Sequence, residues 1–290
     1  MSIADGWFSE CEAMWPGQKF SVKVKDVLYH EKSKYQDILV FDSESYGRVL
    51  ALDGVFQITE KDEFSYQEMI VNLPLFAHPN PKEVLIVGGG DGGVLREIAR
   101  HDCIEHIVQC EIDEGVVNVA KKYFSNSTAV SFNDPRLELL FMDAAEYVKN
   151  QKNRFDVIIV DSSDPVGPAE TLYTSDFYKT MKEALREGGI ICTQGECQWL
   201  HLDLIAKVMN DASKLFKNVN YGYCSIPSYP CGQIGFIIGT LDDGKYPLYQ
   251  PNRPISPELQ SQLKYYTPEM HKAAFVLPRF AMKALKMIKP

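Results

Sequence analysis

The chain has 290 residues, enough for one large domain or for one domain with a smaller companion. Hydrophobic residues make up 45% and charged residues 24%, an ordinary globular composition, and the formal charge is −9. That balance repels polyanions, so nucleic acid and acidic membrane surfaces are excluded as partners while cationic ligands are favoured.

The first third is expected to be β-rich. "FSVKVKDVLYH" (20–30) alternates Val22 and Val24 with Lys23 and Lys25, the period of a half-exposed strand. "YQDILVFD", "YGRVLALD" and "VFQITE" follow at short spacing, separated by turns at 43–46 and 53–54, and together predict a small antiparallel sheet. "DEFSYQEMIVNLPLF" predicts a helix with Asp62 as its N-cap. The Pro-rich "AHPNPK" (77–82) places a domain boundary, giving 1–76 as a small β domain with a linking helix and 77–290 as the larger domain.

The rhythm then changes. Strand "KEVLIVGGG", helix "GVLREIARH", strand "EHIVQCEID", helix "EGVVNVAKKYF", strand "RLELLFMD", helix "AAEYVKN" and strand "FDVIIVD" alternate. Helix "SDFYKTMKEALREGG" is expected to stop at Gly188–Gly189, and strand "IICTQGE" follows. Such alternation implies right-handed crossovers and a mostly parallel sheet, an α/β fold. "NVNYGYCSIP" and "QIGFIIGTL" read as a closing antiparallel pair. None of the seven cysteines forms a Cys-x-x-Cys pair, so reduced thiols of a cytoplasmic protein are expected, not a zinc or disulfide framework. "MSIADGWFSE" does not resemble a signal peptide, and the longest apolar runs fall far short of the roughly 20 residues of a membrane helix.

Ligands of an open parallel sheet bind beyond the carboxyl ends of its strands. Four successive strands each end in an acid: Asp91 in the loop "GGGDGG", Glu111 (with Asp113 next), Asp143, and Asp161 with Asp164 three residues on. For Asp113 and Asp143 taken singly, helix capping is the competing explanation. Gly88, Gly90 and Gly92 let the backbone approach a ligand, which by itself suits a dinucleotide or an S-adenosyl compound. Asp91 would repel a pyrophosphate and stabilise an amine or sulfonium. Glu111 stands where an acid accepts hydrogen bonds from ribose hydroxyls. The expected ligand is an adenosine nucleoside with a positive tail and no phosphate. Asp161 and Asp164 could seat a second cation; as an alkylamine it would arrive protonated, with a pKa near about 10.4, and a carboxylate within reach could accept its proton. His201 and His271 rank below Asp161 as bases.

The segments "GGGDGGVLRE", "DSSDPVGPAETL", "WPGQ", "DEFSYQEM" and "YYTPEMHKAAFVLP" together resemble the spermidine synthases, a family of polyamine aminopropyltransferases, and the similarity runs from Gly6 to Pro278. The resemblance implies a small β domain on a Rossmann-like, methyltransferase-type domain. It also implies transfer of the aminopropyl group of decarboxylated S-adenosylmethionine to putrescine, giving spermidine and methylthioadenosine, by a homodimer without a metal. Decarboxylated S-adenosylmethionine is then a co-substrate. Carried over by position, Asp161 is the proton acceptor and Asp91 the carboxylate near the aminopropyl amine. Glu111 is the ribose ligand, and Asp143 with Ala144 the adenine contact. Gln36, Gln67 and, more weakly, Gln57 are nucleoside-binding glutamines. Tyr66 and Tyr229 line the diamine site, Asp164 grips the far amine, and Gln194 and Trp15 are further walls. Taken alone, Tyr66, Tyr229 and Trp15 could equally be packing aromatics. Putrescine N-methyltransferase, spermine synthase, a dehydrogenase and a non-catalytic polyamine-binding subunit are the alternatives.

Overall fold

The computed structural model describes residues 3–10, 14–163 and 171–287. The first sheet contains β1 (Ile3–Ala4), β2 (Trp7–Ser9), β3 (Ser21–Lys32), β4 (Asp37–Ser43), β5 (Arg48–Leu52) and β6 (Val55–Thr59) as an antiparallel meander. Its two faces do different work. Phe8, Val22, Phe41 and Phe56 close a core of its own, while Ile38, Val40, Leu50 and Ile58 pack on Val116, Val119 and Phe124 of the second unit.

Helix α1 (Glu63–Ala77) follows. The second unit continues with β7 (Glu83–Gly88), α2 (Gly93–Ala99), β8 (His106–Glu111), α3 (Glu114–Tyr123), β9 (Leu137–Phe141), α4 (Ala144–Lys149) and β10 (Phe155–Asp161). After it come α5 (Ser175–Ala184), β11 (Leu185–Gln194), α6 (Leu202–Ala212), β12 (Asn218–Ser225), β13 (Gln233–Thr240), α7 (Pro257–Gln260), α8 (Pro268–Ala273) and α9 (Arg279–Ala284). Its sheet runs β12-β13-β11-β10-β7-β8-β9, parallel from β11 to β9 and antiparallel at β13 and β12. Strands buried on both faces read as unbroken apolar runs, and their side chains part by period two. Val84, Ile86, Val157 and Ile159 face the core shared with α1 and α2, whereas Leu85, Val87, Ile158 and Val160 face the core shared with α4, α5 and α6. Among the described residues no helix is long and apolar enough to cross a membrane.

Three local expectations differ from what is found. Helix α5 ends at Ala184, four residues before Gly188. Leu185 and Arg186 are drawn into β11, because Leu185 registers with Phe155 and the Arg186 guanidinium binds Glu83 and Asp156 at 2.8 and 3.1 Å. Asp62 occupies the N-cap position of α1 but makes no side-chain capping bond; its carboxylate is turned to other partners. Helix α1 does not stand between the two units. Tyr66, Met69, Ile70, Leu73 and Phe76 belong to the core of the second sheet.

Glu68 explains why the distant "YYTPEM" segment matters to this helix. Its carboxylate, 1% exposed, accepts the backbone N–H groups of Lys264, Tyr265 and Tyr266, each at 2.8 Å. Removing a buried acceptor strands all three donors, at about 1–3 kcal/mol each. Glu68→Ala is therefore expected to lower the urea midpoint by an amount equivalent to at least about 3 kcal/mol. Equilibrium unfolding followed by circular dichroism checks this; an unchanged midpoint would contradict it.

Candidate active site

Between the two sheets lies a cleft of about 1580 Å³ of open space, mouth included. Strands β10, β7, β8 and β9 are neighbours in that order, so Asp161, Asp91, Glu111 and Asp143 stand in a row along one edge, and all four line the cleft. Leu50, Leu52, Val55 and Phe56 of the first sheet contribute apolar wall, with Tyr35 and Gln36 from the β3–β4 loop.

Glycine makes the row possible. Gly88 pairs in register with Asp161, and at its φ of +83° a Cβ would sit 2.2 Å from the Asp161 carbonyl oxygen. At Gly90 a Cβ would come 2.9 Å from Glu111 Oε2. The turn can thus pass between two acids where any side chain would collide.

Each acid is held. Tyr66 donates its hydroxyl to Asp161 Oδ1 at 2.6 Å, and its ring stacks on Phe236 at a 5.9 Å centroid distance. Asp91 Oδ1 accepts the Gly93 N–H at 2.7 Å and Gln67 Nε2 at 3.3 Å. Glu111 Oε1 accepts the Asp113 N–H at 2.8 Å. Asp143 Oδ1 takes the Ala145 N–H at 2.8 Å, capping α4, and still lines the cleft beside Ala144. Asp113 does not line it. Its carboxylate caps α3 through Gly115 and accepts Ser33 Oγ at 2.6 Å and Gln36 Nε2 at 2.9 Å. Asp113 thus caps α3 and holds the β3–β4 loop, whereas Asp143 caps α4 and also lines the cleft.

The far end of the cleft is built from Glu10, Trp15, Gln194, Glu196, His201, Tyr229 and Pro230. Tyr173 donates to Gln194 Oε1 at 3.1 Å. Glu196 Oε2 lies 2.9 Å from His201 Nδ1, and His201 Nε2 meets the Met14 carbonyl at 3.0 Å. Glu10 Oε1 accepts the Phe56 N–H at 2.9 Å. The rings of Tyr66 and Tyr229 lie 5.9 Å apart, tilted by 44°, and Tyr229 donates its hydroxyl to the Gln57 carbonyl at 2.6 Å. Trp15, 3% exposed, presents an indole N–H with no partner among the described residues.

Some expectations move. Gln67 is absent from the cleft wall; it packs against Gly93 and reaches Asp91, because a Cβ-less Gly93 leaves room there and nowhere nearer the cleft. Gln36 and Gln57 line the cleft. Asp164 lies outside the described residues. His271 is fully buried far from the cleft between Tyr266 (2.7 Å) and the Leu248 carbonyl (2.9 Å), whereas His201 is part of the wall. Glu10 and Glu196 were not anticipated. Glu196 sits just beyond the end of β11, so the strand-end rule that finds the other acids would have found it. Glu10, in an irregular stretch after β2, carries no such signal.

Seven acids line the cleft (Glu10, Asp53, Asp91, Glu111, Asp143, Asp161 and Glu196), and no lysine or arginine does among the described residues. Burial pushes Asp161 well above the ordinary carboxylate range, and the neighbouring charge of Asp91 adds to it; the Tyr66 hydroxyl opposes the rise. Burial likewise raises Asp91, against the Gly93 N–H. Glu111 is raised to about 7, first by burial and then by the charge of Asp113, against the Asp113 N–H. Among the described residues no group of three or more His, Cys, Asp or Glu is placed to hold a metal ion.

Fold and cleft together define an α/β enzyme shaped for cationic small molecules. Residues 63–246 match the model of the spermine/spermidine synthase domain, and residues 6–60 that of the spermidine synthase tetramerisation domain. A spermidine synthase of Dictyostelium discoideum is 52% identical over 285 residues, 98% of this chain and 99% of that protein. One of Schizosaccharomyces pombe is 52% identical over 280 residues, 96% of this chain and 93% of its own. A crystal structure of spermidine synthase in complex with the transition-state analogue AdoDATO matches with a TM-score of 0.89 at 36% identity, over 99% of this chain and 97% of that one. The chain belongs to the spermine/spermidine synthase family.

The raised acids have a consequence for stability. A carboxyl whose folded pKa exceeds its unfolded value contributes stability below the unfolded pKa and loses it as pH rises through the folded one. For Glu111 the window runs from its ordinary 4.5 to about 7, an upper limit of roughly 3 kcal/mol. In the ligand-free protein Glu111→Gln is expected to gain stability relative to wild type between pH 5 and pH 8. Thermal unfolding at both pH values checks this, and a constant difference would contradict it.

Proposed function

We propose that this chain transfers the aminopropyl group of decarboxylated S-adenosylmethionine to putrescine, giving spermidine and 5′-methylthioadenosine, and that the cleft holds the two cations side by side. The observation carrying this is the row Asp161–Asp91–Glu111–Asp143, with Tyr66 bonded to Asp161 and no lysine or arginine among the described residues of the wall.

In this reading Glu111 accepts the ribose hydroxyls, and Asp143 with Ala144 borders the adenine. Gln36 and Gln57 flank the nucleoside, and the Gly88–Gly90 turn lets its sulfonium come close. Asp91 neutralises the aminopropyl ammonium, and Gln67 acts on Asp91 and not on the nucleoside. Putrescine lies between Tyr66 and Tyr229, whose faces add about 0.5–2 kcal/mol of cation–π attraction. Its far ammonium is directed toward Gln194, Glu196 and Trp15, and Asp164 is assigned to the same amine on the sequence resemblance alone.

Asp161 accepts the proton of the attacking ammonium. The freed nitrogen pair attacks the aminopropyl carbon next to sulfur, the C–S bond breaks with its electrons on sulfur, and neutral methylthioadenosine leaves. A sulfonium needs no further activation as a leaving group. Two bound cations lower the proton affinity that burial gives Asp161, so the base is ionised when both substrates are present. Loading the cleft should therefore release protons near neutrality.

The assembly is taken as a homodimer, joined through the first sheet, where Trp7 and Val27 are 46% and 52% exposed. The compartment is taken as the cytoplasm. The physical division between the units is taken at residues 60–62, since α1 packs with the second sheet.

Two substitutions test the reading. Asp161→Asn is expected to keep methylthioadenosine binding and to lower turnover by about 100-fold or more, the scale of a lost general base. Near-normal release of methylthioadenosine, followed by chromatography, would remove Asp161 from the role. Asp91→Asn is expected to weaken decarboxylated S-adenosylmethionine more than methylthioadenosine in calorimetric titrations, because only the former carries the amine; equal losses would refute that assignment.

A further inference from the structure

Asp62 stands at the start of α1 with φ −135° and ψ −1° and leaves the helix uncapped by its side chain. The Ser65 amide is served by the backbone instead, since Ser65 donates its N–H and its hydroxyl to the Asp62 carbonyl at 3.1 and 2.9 Å. The carboxylate, 5% exposed, instead accepts the Ser228 N–H at 2.8 Å, the Ser228 hydroxyl at 3.0 Å and the Thr59 hydroxyl at 2.7 Å. A buried carboxylate that forgoes a cap worth about 0.5–2 kcal/mol has been committed to another task.

That task is visible one residue further on. Ser228 is fully buried and precedes Tyr229 in the connection between β12 and β13. This connection is unusual backbone: Cys231 and Gly232 are both left-handed, at φ +56° and +67°. It closes on itself through Ile226 N–H to the Gly232 carbonyl (2.9 Å) and Gly232 N–H to the Tyr229 carbonyl (2.8 Å). Such a turn has little regular structure to fix its direction, so its outward bonds decide where Tyr229 points. Two of them lead to one short segment. The backbone end is held by Asp62 and the phenol end by the Gln57 carbonyl at 2.6 Å. Residues 57–62 therefore grip Tyr229 at both ends and set its 5.9 Å separation from Tyr66, whose hydroxyl holds Asp161.

We infer that Asp62 is a positioning residue for the acceptor amine: it fixes the Ser228–Tyr229 turn and thereby the width of the aromatic slot. It touches neither substrate. The inference rests on the reading that the Tyr66–Tyr229 slot takes the diamine, and it gives Asp62 a selective effect. Loosening the turn weakens the acceptor more than the nucleoside, whose ribose and adenine contacts, Glu111 and Asp143, stand at the ends of β8 and β9.

The chemistry of the three donors supplies a conservative control. Hydroxyls of Ser228 and Thr59 can turn round and accept, whereas the Ser228 N–H cannot. An Asn at 62 can keep its oxygen on the N–H and offer its amide to the hydroxyls; an Ala can do neither.

Asp62→Ala is expected to raise KM for putrescine by about tenfold, the scale of one lost buried hydrogen bond to a charged group, with methylthioadenosine affinity within about twofold of wild type. Asp62→Asn should restore KM to within about threefold of wild type, and Thr59→Ala, which removes a donor but leaves the turn anchored, should not move it. If Asp62→Ala fails to fold, Ser228→Ala decides, with an expected rise of about threefold. Hydrogen exchange of the 228–232 amides provides a readout independent of turnover. It should quicken in Asp62→Ala, or failing that in Ser228→Ala, and not in Thr59→Ala. Unchanged exchange and unchanged KM, or equal losses for amine and nucleoside, would overturn the inference. A wild-type enzyme that transfers nothing to putrescine would instead defeat the functional reading, leaving the exchange result to judge Asp62.

Discussion

Like charges crowded along one sheet edge are the constraint around which this molecule is arranged. Asp161 and Asp91 stand half-buried beside one another with buried Glu111 next in line, and desolvation raises the proton affinity of all three. A structural ion pair would have relieved the repulsion, as Arg96 does for Glu63 and Glu97 elsewhere in the core. At the cleft the fold uses neutral donors instead: the N–H groups of Gly93 and Asp113, the Gln67 amide and the Tyr66 hydroxyl. These orient each carboxylate without cancelling its charge. The remaining electrostatic demand is one that a bound cation would meet.

The second requirement is shape, and it takes both sheets. The row of acids belongs to the parallel sheet, but the apolar wall opposite them comes from β5 and β6. The two units are joined by α3, whose Val116, Val119 and Phe124 fill a core with Ile38, Val40 and Leu50. Helix α1 works within the second unit, carrying Tyr66 and Gln67 toward the acids and Glu68 toward residues 264–266. A cleft assembled at such a junction is sensitive to small changes in how the units meet.

Much of this was legible in the chain itself, for identifiable reasons. The acids at strand ends were found because strand termini are marked by apolar runs such as Val157–Val160, and because a parallel sheet sends every such terminus to one edge. Their order in space, with Asp161 next to Asp91, follows from β10 inserting beside β7, which periodicity does not reveal. Glu196 was missed although it obeys the same rule, and Glu10 because it lies in irregular chain. That Gln67 lies off the cleft wall was not foreseen, since spacing along a helix does not show that Gly93 opens a niche beside it. The end of α5 was misjudged because a glycine pair is a strong stop signal and the pull of Arg186 toward Glu83 and Asp156 is a long-range effect.

The Glu68 clasp also governs the order in which the molecule can be completed. A ribosome delivers α1 first, yet the amides of residues 264–266 that satisfy its buried carboxylate emerge some 200 residues afterwards. Until then the helix bearing Tyr66 carries an unpaired acid and lacks its partner in the core. The nascent chain can form its first sheet and its crossovers as they appear, but the helix that bears Tyr66 is clasped only once a segment some 200 residues downstream has been made.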